Sequence, residues 1–143
     1  MKTPHDIEQS AIDSHLAISQ SIIQRMATNS ASCKSWCITI VAALLVVVAD
    51  KGKPALAIVA LVPTALFFAL DVYYLWLESR FRQSYNGFIG KLHSGKVEFS
   101  DVYAMSPSEA KLDDFLKCAI SFSIWPFYGF LTAMVLFTRE ILN

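Results

Sequence analysis

Asp71 is the one acid inside an apolar run, residues 55–77, ALAIVALVPTALFFALDVYYLWL. A carboxylate in hydrocarbon costs on the order of 3 kcal/mol unless it is paired or wetted. Counted from Pro54 at about 1.5 Å per residue, Asp71 lies roughly 24 Å along a helix, near one boundary of a bilayer rather than its centre. Lys34, at the start of the preceding apolar run, counts to a similar depth. Three roles fit the pair: a structural Asp71–Lys34 bridge, a wetted pore or gate position at Asp71, or plain exposure to headgroups.

A second cluster lies in RMATNSASCKSW, residues 25–36. Arg25 and Asn29 are four apart, as are Ser30 and Lys34, so each pair lies one helical turn apart. With Trp36 they suit interfacial anchoring, while Ser30, Ala31 and Cys33 are small enough for close helix–helix contact. Tyr73 and Tyr74 lie beside Asp71 and, with Trp36 and Trp76, suit an aromatic belt at the headgroup level.

Other reactive side chains do not combine. Cys33, Cys37 and Cys118 form no CxxC pair, have no His at ligand spacing, and read as small packing residues. His5, His15 and His93 are isolated in sequence. Glu98 with Asp101, and Asp113 with Asp114, read as solvated faces. Phosphate-loop, dinucleotide and HExxH patterns are absent, and Gly87 and Gly90 have the wrong spacing for a phosphate cradle. No catalytic, cofactor or metal site is expected, and no enzyme.

The elements that must position these residues are set by composition. The 143 residues are 55% hydrophobic and 17% charged, with 12 basic against 12 acidic residues. Soluble domains carry about 25% charge, and a chain this small has too much surface to hide so much apolar area. Zero net charge argues against a nucleic-acid partner, and the excess of apolar residues names the lipid bilayer instead. An all-α membrane protein with three transmembrane helices is therefore expected. Residues 1–35 form an amphipathic cytoplasmic helix marked by Ile12, Leu16, Ile22, Ile23 and Met26. With Asp6, Glu8 and Asp13 and no apolar run, this arm is no cleavable leader. Residues 36–77 form a transmembrane hairpin with spans 36–49 and 55–77 around a turn at 50–54. The first span is short, and starting it near Ser30 lets Lys34 snorkel.

Residues 78–117 continue the second span as a cytoplasmic stalk fraying at Gly87 and Gly90. A loop follows, with a short strand near Val97 and Phe99. A new helix starts at Ser106-Pro107-Ser108-Glu109 and runs on through a third span, 118–138, with an external tail at 139–143. Pro63 and Pro126 are expected to kink their spans or end a turn of hydrogen bonds. Nine basic residues flank the spans on one side, against Lys51, Lys53 and Arg139 on the other, which puts the N-terminus in the cytoplasm.

The run IIQRMATNSASCKSWCITIVAAL, the later LDVYYLWLESRFR and SIWPFY resemble a family of small bacterial inner-membrane proteins. In that family an RMxxNSxxxKxW motif precedes the first span and an Asp-x-Tyr-Tyr motif closes the second. Arg25, Met26, Asn29, Ser30, Lys34 and Trp36 match the first motif, and Asp71, Tyr73 and Tyr74 the second. The hairpin plan is similar, more loosely, to SLATT-type transmembrane effectors of prokaryotic conflict systems, which assemble pores when a nucleotide-sensing partner signals. That resemblance implies a homo-oligomeric, pore-forming or membrane-disrupting effector of antiviral defence or stress, with a cytoplasmic nucleotide-signalling partner. The chain departs from that plan by its third span and by having no recognisable nucleotide-sensor domain. The other readings are a non-catalytic membrane anchor or scaffold binding a cytoplasmic partner, and, less well supported, a small transporter subunit.

Overall fold

A computed structural model describes residues 9–142. It is all-helical: α1 spans Gln9–Lys51, a 3₁₀ segment Pro54–Ala60, α2 Leu61–His93, α3 Phe99–Tyr103, α4 Leu112–Ala119 and α5 Trp125–Ile141. The part of the expected N-terminal helix that falls on residues 1–8, His5 included, lies outside the described residues.

The arm and the first span are one helix. Between Gln9 and Lys51 there is no Gly or Pro to stop it, so α1 runs 43 residues, roughly 64 Å. Its buried residues, Ile12, His15, Met26, Ser30, Cys33, Cys37, Val41, Leu45 and Val48, lie mostly three or four apart and make a single stripe. That stripe faces α2, which returns antiparallel. The turn closes at Gly52, whose φ of 56° is a conformation that suits glycine. The 3₁₀ segment ends just before Pro63. Pro63 lacks the N–H that would bond back to Val59, so the regular α ladder begins only beyond it.

α5 lies alongside the hairpin and packs chiefly on the 3₁₀ segment, α2 and α1. Ile124, Tyr128, Leu131 and Val135 form its buried stripe, against Cys37, Val41, Leu45, Val48, Ala57, Ala60 and Val72. Ala57 and Ala60 are small enough for close approach of this third helix. A smaller cluster, Ile12, Phe88 and Val102, closes the far end of the α1–α2 pair.

Two helical stretches are long and apolar enough to cross a membrane, Gln9–Lys51 and Pro54–His93. Only 22% and 28% of their most apolar windows are buried, so most of that surface faces outward. The expected third span takes a different form. Its helix does not run from Ser106. Residues 106–111 are non-helical, α4 stops at Ala119, and residues 120–124 form an elbow. Pro126 sits in the first turn of α5, where its missing N–H costs nothing, so it starts the helix rather than kinking it. That leaves α5 with 17 residues, about 25 Å. Three further expectations are corrected. α2 passes through Gly87 and Gly90 to His93, held on α1 by Phe88 between them. Phe99 begins α3 rather than ending a strand. The tail at 139–143 is largely the last turn of α5, which reaches Ile141.

Candidate functional site

The polar centre of the bundle forms where α1 and α2 cross the level of Asp71. Asp71 is 0% exposed. Ser30 Oγ donates to Asp71 Oδ1, and Lys34 Nζ lies 2.6 Å from Oδ2. Ser30 and Lys34 are one turn apart on α1, so both reach the same carboxylate, and Nζ also donates to Ser30 Oγ at 3.4 Å. The contact at Oδ2 is an ion pair. One turn earlier on α2, the Phe67 carbonyl accepts from Tyr128 Oη at 3.1 Å. That bond fixes α5 close to the carboxylate. The carboxylate is thus closed in by Ser30 and Lys34 from α1, with Val72 beside it in the core.

The remaining interfacial residues do not join this centre. Arg25, Trp36 and Tyr73 are exposed, and Asn29 and Tyr74 are half-buried. Tyr73 instead starts an aromatic group on α2. It meets Tyr74 at 5.7 Å and Trp76 at 6.3 Å between ring centroids. Trp76 lies under the Arg80 guanidinium at 4.6 Å and edge-on to Phe115 of α4 at 5.7 Å. The RMxxNSxxxKxW residues therefore split by direction: Ser30 and Lys34 turn inward, while Arg25 and Trp36 turn out.

A second polar place was missed in sequence because its partners are far apart along the chain. His15 is buried, with its ring 4.2 Å from that of Phe88. Its Nδ1 lies 2.8 Å from the Val102 carbonyl, which can only accept, so Nδ1 carries the hydrogen. Beside it Lys91 Nζ bonds Asp101 Oδ1 at 2.6 Å, and the Glu98 N–H donates to Asp101 Oδ2 at 3.0 Å. These contacts latch α3 across the end of the α1–α2 pair. The Lys91 hydrogen bond, and then the Glu98 N–H, hold the Asp101 carboxyl below its ordinary range, and the same bond raises Lys91. A lowered carboxylate contributes stability above its unfolded value, about 3.9, and loses it as pH falls through the lower folded value. A raised lysine contributes below about 10.4 and loses it as pH rises through the higher one. The latch is therefore expected to hold from about pH 4 to 10 and to open in acid. NMR of the Val102 methyls, which pack against Phe88, reads the opening. Asp101→Asn should reproduce the acid spectrum at neutral pH, and an unchanged spectrum would refute the latch.

Among the described residues no three metal-ligating side chains converge. Comparison with protein-family models, curated proteins and solved structures finds no match to this chain.

Proposed function

We propose that the chain is a multi-pass protein of a bacterial inner membrane, N-terminus in the cytoplasm, that acts by self-assembly as a pore-forming or membrane-disrupting effector of a defence or stress system, without enzymatic chemistry. The observation that carries this reading is the wide apolar belt that one protomer leaves uncovered. Val46, Val62, Leu66, Phe130 and Phe137 are all exposed large hydrophobics. In water such a belt would be an interaction patch far beyond what monomers tolerate. In lipid it is the natural outer face of a bundle. α5, about 25 Å long and packed along the hairpin, serves as the third crossing with the elbow at 120–124 as its inner edge.

The protomer interior is closed by Cys37, Val41, Leu131 and Val135, each at most 1% exposed. A conduit therefore has to form between copies. Asp71 faces inward against Lys34 and Ser30, so it serves as a clamp within each copy rather than as a lining of the path. The resemblance of residues 25–36 to the inner-membrane family, and of the hairpin to SLATT-type effectors, supports the same reading and a nucleotide-signalling partner on the stalk.

The test is controlled expression with dye entry, together with the mass of the detergent-solubilised chain. Depolarisation and a complex of several copies are expected. Harmless expression of a monomer that co-purifies with a cytoplasmic protein would replace this reading by the anchor or scaffold. One observation favours that second reading: two grooves of about 240 and 490 Å³ flank His15 at the end of the stalk, where a partner would dock.

A further inference from the structure

α4 presents an apolar face that nothing in the chain covers. Leu112, Leu116 and Ile120 recur every four residues and so line one side of the helix. Together with Phe122 in the elbow, each is at least 62% exposed. The opposite side is occupied. Phe115 packs edge-on to Trp76, Asp114 is half-buried, and Cys118 is half-buried against the core. A helix with one docked side and one stripe of large aliphatic residues facing out is built to lie between the bundle and a second apolar phase.

The level of α4 along the bundle says which phase. From the hairpin tip, the six steps of the Pro54–Ala60 3₁₀ segment rise about 12 Å at ~2 Å per residue. α2 then adds about 1.5 Å per residue. A hydrocarbon core of about 30 Å starting near the tip ends close to Tyr73. Trp76, on which α4 rests, comes roughly 36 Å from the tip, within the headgroup layer. Tyr73, Tyr74 and Trp76 are the residue types enriched at that layer. The stripe is also continuous with the outward apolar surface of α5, beginning at the exposed Trp125. Charge does not select the lipid. Lys111 and Lys117 offset Asp113 and Asp114, leaving residues 111–119 neutral.

We infer that α4 and the elbow form an in-plane foot: Leu112, Leu116, Ile120 and Phe122 insert into the cytoplasmic leaflet at the headgroup–acyl boundary, independently of anionic lipid. The inference rests on the membrane reading above and adds a lipid-contacting element outside the spans. It makes the connection into α5 a surface helix rather than a free loop.

Nitroxide accessibility tests it. Single labels at Leu116→Cys, Asp113→Cys and Val62→Cys are placed in the full chain with its three native cysteines replaced by alanine, reconstituted in pure phosphatidylcholine vesicles. Labels 62 and 116 should collide more with oxygen than with a water-soluble nickel chelate, and label 113 should show the reverse ratio. If 116 behaves like 113 while 62 reports lipid, the foot is wrong and the membrane reading stands. If 62 also reports water, the membrane reading itself fails, and the foot with it. If 116 is shielded from both reagents, a second protein copy covers the stripe and the lipid assignment is overturned. Should the cysteine-free chain not fold, Leu116→Trp in the native-cysteine chain provides the same readout. Brominated phosphatidylcholine should then quench the added emission, and unquenched emission counts against the foot.

Discussion

Lys34→Met is expected to destabilise the bundle by about 3–5 kcal/mol, and adding Asp71→Leu to recover most of that loss. Removing the lysine leaves a fully buried carboxylate with no cation beside it, only the Ser30 hydroxyl and the nearby Tyr128 hydroxyl. Asp71 has a short side chain and cannot reach water from there. Removing both charges replaces the pair by apolar packing, which is commonly neutral. The reverse single change, Asp71→Asn, should cost distinctly less. The Lys34 side chain is already 21% exposed, and its four-carbon stem lets the ammonium swing out to the headgroups. Unfolding of the solubilised chain by SDS titration in mild detergent measures all three variants and closes the double-mutant cycle. Equal costs for the two single variants, or no recovery in the double, would contradict the clamp.

Val62→Arg is the second large effect. Val62 is 69% exposed and stands about 15 Å from the hairpin tip, near mid-bilayer on the proposed topology. An arginine there costs about 2.5–3.5 kcal/mol on insertion scales. A substitution at an equally exposed position in water stays within about 0.5 kcal/mol. Asn86→Arg, exposed on the stalk, is the matched control and should change little. The amount of each variant in the membrane fraction decides. Normal insertion and unaltered stability of Val62→Arg would mean that this face meets water.

The same two positions show what the sequence displays and what it hides. Asp71 stood out because a lone acid in an apolar run must find a partner, and depth counting alone brought Lys34 to its level. By type and spacing Ser30 reads as a small contact residue, yet it donates to that carboxylate. Nothing local marks a hydroxyl as inward-facing until the register of α1 on α2 is known. The arm and the first span were separable in sequence only by a change from polar to apolar residues. Composition does not end a helix where Gly, Pro and capping signals are missing, so α1 ran through. Pro126 was legible as a breaker, but whether a proline kinks a helix or starts one depends on the backbone before it. Here the elbow at 120–124 decides. His15 looked isolated because Phe88 and Val102 lie more than seventy residues away in the chain.

The unbroken course of α1 turns this protein into a lever. The 25 residues from Gln9 to Cys33 extend roughly 37 Å from the clamp, with no hinge residue to absorb bending. Ile12 and His15 tie that end to Phe88 and Val102, so a load that tips it by ten degrees moves it together with the end of α2 by about 6 Å on that arm length. The same rotation is delivered undiminished to Cys37, Val41 and Leu45, with Lys34–Asp71 as the fulcrum. Mechanical work done at the Gln9 end of α1 thus reaches its apolar half as tilt of a stiff rod.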